Sequence, residues 1–200
     1  MDEITPYVPG DDLPGPEILE KVFSGQNDGK TSKGGELIRI ADGPILMRAA
    51  LDGKTGTVKT LLSHGSDVNI TFLDGWTALI YAASEGHTEI IQALIDKGAK
   101  LEARAGNGWT ALMIAAWGGH EAAVKALLAA KADPNACDKD GKSVLMWGAQ
   151  KGSMPIVRAL LEAKGDVRAK SKKGATALSY ALREKQREVV GLLREKGATD

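Results

Sequence analysis

A period of 33 residues constrains this chain more than any other feature of it. Gly75, Gly108, Gly141 and Gly174 stand 33 positions apart. Thr77, Thr110, Ser143 and Thr176 keep the same interval, as do Leu79, Leu112, Leu145 and Leu178. A fixed period of roughly 20–50 residues marks a stacked array of small units, none of which can bury its own apolar face alone. The unit is plainest from Gly108 to Ala136: a turn, a short helix, a glycine break, a second helix and an exposed loop.

Each marker has a physical reading. The hydroxyl residues can cap the first helix through their side-chain oxygens. Gly86, Gly119 and Gly152 can take positive φ and end that helix. Ala82-Ala83 and Ala115-Ala116 keep side chains small where neighbouring helices approach. Pro155 falls at the start of a second helix, where its missing N–H costs little. Pro44 is expected in the first turn of the first array helix for the same reason. Lys131 stands where other units place Gly65, Gly98 and Gly197, so the end of its unit is expected to be strained or reshaped; Lys185 stands where the earlier units place Gly53, Gly86, Gly119 and Gly152, the sign of a divergent C-terminal cap.

Other chemistry fails on spacing. Gly53-Lys54-Thr55 and Gly29-Lys30-Thr31 imitate a phosphate loop, but Arg48 and Ser24 stand where its first glycine is required. Asp138-Lys139-Asp140-Gly141 suggests a calcium loop, but Ala136 and Trp147 occupy ligand slots. His87 and His120 are equivalents on neighbouring units, about 10 Å apart, too far for one metal without further donors. Their expected role is hydrogen bonding between helix and loop. Cys137 has no base beside it in the sequence pattern. No nucleophile, base and orienting group come together, so the expectation is a chain that is not an enzyme and has no cofactor or metal.

Lys plus Arg and Asp plus Glu are each 26, so no net basic character points to nucleic acid. The distribution is uneven. Residues 1–42 carry nine acidic and four basic side chains; residues 137–200 carry fourteen basic and eight acidic. Such asymmetry can mark an interaction surface. One cysteine permits no intrachain disulfide, which fits a reducing compartment. No signal peptide or membrane-span pattern is visible. The expected location is cytoplasmic, with an organelle as the alternative if a transit peptide has been removed.

These residues resemble the ankyrin repeat: a glycine turn with a threonine cap (Gly75-Trp76-Thr77-Ala78-Leu79), Ala82-Ala83, Gly86-His87, and loops ending Asp67-Val68-Asn69 or Asp133-Pro134-Asn135-Ala136. The chain departs from the family where Ala78, Ala111, Val144 and Ala177 replace its proline. It departs again where Ile80, Met113, Met146 and Ser179 replace its first histidine. The resemblance implies an all-α solenoid of about five helix-turn-helix repeats, at about 43–70, 71–103, 104–136, 137–169 and 170–200. Residues 1–42 are then an acidic N-terminal arm with a short capping helix at 17–24 and a loop at 25–35.

The resemblance also implies a non-catalytic module that binds a partner protein on its concave face. That face is made by the turn tips, the residue after the turn glycine and the end of the first helix. Repeat two places Leu73, Asp74, Trp76 and Glu85 there. Repeat three places Asn107, Trp109 and Trp117. Repeat four places Lys139, Asp140, Lys142, Gln150 and Lys151, and repeat five Lys172, Lys173 and Arg183. Trp76, Trp109 and Trp117 are expected to project together, and two roles are open for the first two: partner contact and mutual packing. Trp147, within its helix, is expected in the core. The partner is one or more proteins, with an acidic contact surface if the basic face is used; the chain alone is expected to be monomeric. The alternative is a subunit held permanently in a larger complex, with the arm as an added contact. The arm itself is either a solvated tail or a strap across the basic repeats.

Overall fold

A computed structural model describes residues 36–199, with side chains described from residue 43 onward except that of Leu73. The capping helix expected at 17–24, the loop at 25–35 and Gly29-Lys30-Thr31 lie outside the described residues. Within them, ten α-helices form five antiparallel pairs. The first pair is α1 (Glu36–Leu51) and α2 (Thr55–Ser63); the second is α3 (Ala78–Ser84) and α4 (Thr88–Asp96). Then come α5 (Ala111–Gly118) with α6 (Glu121–Ala129), α7 (Val144–Lys151) with α8 (Met154–Glu162), and α9 (Ala177–Arg183) with α10 (Arg187–Glu195). First helices stack on first helices, in the order α1, α3, α5, α7, α9, and second helices stack on second helices. The result is a two-layered all-α array.

The hydroxyl residues start the inner helices as expected. Thr77, Thr110, Ser143 and Thr176 accept from the backbone N–H three residues on, at 3.3, 3.4, 3.4 and 3.1 Å. Such a cap is worth about 1 kcal/mol. Thr176 and Ser179 cap each other reciprocally. The inner helices are apolar nearly all round: Ala78 to Ala83 and Ala111 to Ala116 are fully buried. The outer helices bury one stripe only, such as Ile90, Ile91 and Leu94 on α4, and turn charge outward. Ile80, Met113 and Met146, at the position of the family's histidine, are buried and apolar.

Side chains tie the repeats on both edges. Nε2–H of His87 donates to the Leu51 carbonyl at 3.1 Å, and that of His120 to the Ser84 carbonyl at 2.8 Å. The two histidines therefore rivet neighbouring repeats, which is wider than a helix–loop bond within one. On the opposite edge Asn69 receives the Lys100 N–H at 2.7 Å and donates to the Gly98 carbonyl at 3.1 Å. Asn135 repeats this with the Asp166 N–H and the Lys164 carbonyl, at 2.7 and 3.2 Å. At the equivalent positions Glu102 can only accept and Arg168 only donates, so each keeps one half of the pair.

The start of the array differs from expectation. Helix α1 runs through residue 43, and Pro44 lies inside it, not in its first turn. A proline there removes the N–H that would bond to the Ile40 carbonyl. Burial of Leu46, Met47, Ala49 and Ala50 against α3 supplies the compensating contacts. Gly53-Lys54 is the turn between α1 and α2 and Thr55 opens α2, with no strand before it, and Lys54 pairs with Asp52 at 3.3 Å.

Lys131 and Lys185 keep the backbone of the glycines they replace, with φ of 74° and 57°; Lys164 does the same at 69°. A residue with a Cβ in this region is disfavoured by roughly 1–2 kcal/mol, and glycine returns part of that as chain entropy on unfolding. Lys131→Gly should therefore raise the free energy of unfolding by about 0.5–1 kcal/mol in urea titration. A loss of stability would mean that the lysine stem packs usefully.

Candidate partner-binding groove

Repeats two to five each open with a hairpin-like tip. Phe72 N–H donates to the Trp76 carbonyl at 2.8 Å, Ala105 to Trp109 at 2.9 Å, Asp138 to Lys142 at 3.0 Å and Ser171 to Ala175 at 2.9 Å. Among the described residues the only bridges of strand type are isolated ones at these tips. Neighbouring tips are bonded into a rail: Gly106 N–H to the Asp74 carbonyl, Lys139 to Asn107 and Lys172 to Asp140, at 2.7, 2.8 and 2.9 Å. Asp138 is buried and its carboxylate accepts from Asp140 N–H and Lys142 N–H, both at 2.9 Å. It shapes a turn; burial pushes its carboxyl above the usual range against the pull of those two bonds.

The residue after each turn glycine does not project into solvent. Trp76 and Trp109 are each only 4% exposed, which corrects the expectation that both present an open contact face. Trp76 lies on Tyr81 with ring centroids 4.9 Å apart. Trp109 lies between repeats, 4.5 Å from Trp147 on α7 and 6.3 Å, edge-on, from Trp117 on α5. Aromatic pairs of this kind are worth about 0.5–1.5 kcal/mol beyond the area they bury. Trp147 is core, as expected. In repeat four the same place is taken by Lys142, whose ammonium stands 4.4 Å from the centre of the Trp147 ring and 5.6 Å from that of Tyr180. Arg183 approaches Tyr180 from α9, at 4.9 Å. The tip of repeat two thus rests on its inner helix through Trp76 and Tyr81, and those of repeats three and four through an aromatic strip of Trp109, Trp117, Trp147 and Tyr180; tips and inner helices together outline the candidate groove.

The other expected residues sort by exposure. Trp117, Lys142 and Gln150 are half-buried; Asp74, Glu85, Asn107, Lys139, Asp140, Lys151, Lys172, Lys173 and Arg183 are exposed. The side chain of Leu73 lies outside the described residues. Trp117, Gln150, Lys151 and Glu184 line a depression of about 190 Å³ at the ends of α5, α7 and α9. It lies by the seam where Ser153 takes the place of His87 and His120. The Lys151 stem crosses Gly119 in place of a ring, its Cε 3.1 Å from where a Cβ on that glycine would stand. Gln150 Oε1, Trp147 Nε1 and the Tyr81 hydroxyl are buried without a hydrogen-bond partner. Burial alone pushes the Tyr81 hydroxyl up to about 12.

Tyr180 and Glu184 belong to this surface and were missed by reasoning from the turn glycines. The period marks both: Tyr180 is the equivalent of Tyr81 and Trp147, and Glu184 of Glu85 and Lys151. Groove charge changes sign along the array. Repeat two contributes Asp74 and Glu85, repeat three no charge, and repeats four and five Lys139, Lys142, Lys151, Lys172, Lys173 and Arg183 against Asp140 and Glu184.

No group of three or more His, Cys, Asp or Glu side chains among the described residues could hold a metal ion. The Cys137 thiol is pushed up by burial and by the charges of Asp138 and Asp133, so it stays protonated and a poor nucleophile. No helix among the described residues is long and apolar enough to cross a membrane.

A family model described as ankyrin repeats in three copies matches residues 46–138 and again 120–200. The chain is also 40% identical over 50 residues to protein phosphatase 1 regulatory subunit 12B of Mus musculus, a stretch that is 25% of this chain and 5% of that protein. So small a share of that protein bears on the repeats alone. The period, the capped helix pairs, the stacked layers and the family match agree: the chain belongs to the ankyrin-repeat family.

Proposed function

We propose that this chain is a non-catalytic binding module that holds a partner protein in the groove between the turn tips and the inner helices. Ankyrin-repeat arrays typically mediate protein–protein interaction and are generally not catalysts. The observation that carries the reading is the depression at the ends of α5, α7 and α9. It joins a half-buried tryptophan, Trp117, to a buried unpartnered acceptor, Gln150 Oε1, within a rim of charged side chains. Partly exposed aromatic and arginine side chains over a rigid, packed base are the composition of binding hot spots. Trp76 and Trp109 serve this groove from beneath by fixing the tips.

Two purified forms test this in native extract: the wild-type chain and one carrying Lys151→Glu with Arg183→Glu. The wild type should retain a defined partner that the variant loses while keeping the same helical signal. Retention should weaken with added salt, because the exposed charges are screened within about 8 Å at physiological ionic strength. Equal retention by both forms would remove the groove from the account.

One observation favours a second reading, a subunit built into a larger complex. Leu182 on α9 is 42% exposed, the one large apolar side chain so exposed among the described residues. Its equivalents Ala83, Ala116 and Ala149 are completely buried. A permanent neighbour over the last repeat would cover it.

A further inference from the structure

On the reading that the groove binds protein, we propose that the segment seated over repeats four and five is an acidic peptide stretch. Its carboxylates are received by Lys142 and Arg183 across the ring of Tyr180. The ring holds both cations, the ammonium at 5.6 Å and the guanidinium at 4.9 Å from its centre, and Trp147 adds a second face for Lys142 at 4.4 Å. An aromatic face attracts a cation without using its N–H donors. Lysine has three donors and arginine five, and Arg183 spends one on Glu184 at 3.1 Å. The cations are thus held in place with donors left to give. An anion arriving between them finds long side chains already ordered, which lowers the entropic cost of binding.

Charge along the groove decides the kind of anion. Asp140 and Glu184 stand among the cations, and the far end of the groove, at Asp74 and Glu85, is acidic. A nucleic-acid strand carries a negative charge on every nucleotide and would meet repulsion at both places. A peptide can space its carboxylates to avoid Asp140 and Glu184, and can place neutral or basic residues over repeat two. The groove therefore gives its partner a direction, acidic over repeats four and five and not acidic over repeat two.

The test uses the full chain and three fluorescein-labelled probes of equal length at low salt: a Glu-and-Gly peptide, a Lys-and-Gly peptide and an oligouridylate. The acidic peptide should bind, and should bind tightest of the three. Lys142→Gln and Arg183→Gln should each weaken it by about fivefold, the upper end for one exposed ion pair. The double variant Lys142→Glu with Arg183→Glu should lose the acidic peptide and gain the lysine peptide. That reversal cannot come from an unfolded protein. No binding of the acidic peptide, binding that the double variant leaves unchanged, or a preference for the oligouridylate overturns the proposal. Failure here with the native partner still lost from the Lys151→Glu and Arg183→Glu form would leave the groove standing and remove only the acidic occupant.

Discussion

Trp109→Ala is expected to lower the free energy of unfolding by about 3–5 kcal/mol, the range for deleting a large aromatic from a packed core. Trp109 is the keystone of the aromatic strip. It touches Trp117 in its own repeat and Trp147 in the next, and only 4% of it meets solvent. Its removal opens a cavity on the seam between repeats three and four. That seam already lacks the histidine rivet, since Ser153 stands where His87 and His120 bridge the earlier ones. In a linear array the loss falls on a nearest-neighbour interface, so the repeats on either side should begin to melt apart. Urea unfolding followed by circular dichroism should show a lower midpoint and a broader or split transition. A loss under about 1 kcal/mol would mean that the ring is dispensable to packing and that its interest lies in solvent-facing contact.

The second large effect separates two equivalent glycines. Gly75 and Gly174 both hold positive φ, at 82° and 77°. A Cβ on Gly75 would stand 2.5 Å from the Arg104 carbonyl oxygen, while one on Gly174 would meet nothing within 4 Å. Gly174→Ala should cost only the left-handed penalty, about 1–2 kcal/mol. Gly75→Ala adds a clash with backbone that is itself tied into the next tip, and should cost about 2–4 kcal/mol. Parallel urea titrations read the difference. Equal losses would show that the two tips can separate freely, against the rail of hydrogen bonds linking Asp74 to Gly106, Asn107 to Lys139 and Asp140 to Lys172.

The fold was legible because the period carries its own physics. A glycine, a hydroxyl two residues later and a leucine two after that recur together only if a turn, a cap and a buried helix recur. The helix pairs follow. What the period could not carry was the contact between one repeat and the next. Trp109 follows a turn glycine, a position that reads as exposed, and within its own repeat only the edge contact with Trp117 lies against it. Trp147, 38 residues further on, closes over it. Lys142 reads as a surface charge until Trp147 and Tyr180 are found against it. The start of the array was misread for a different reason. A proline near a helix start is unremarkable locally, but α1 extends back to Glu36, and the residues after Pro44 are the ones buried against α3. Exposed groove residues such as Lys139, Lys151, Lys172 and Arg183 were easier to place, because turn tips and helix ends stay outside whatever the neighbouring repeat does.

Site-specific photo-crosslinking tests the groove most directly. Benzoylphenylalanine placed at Lys151, exposed at the rim of the depression, is compared in native extract with the same group at Gln92, exposed on the outer helix α4. A partner adduct from position 151 and none from 92 is the predicted result. The same adduct from 92 with none from 151 would place the partner on the outer helices and contradict the account.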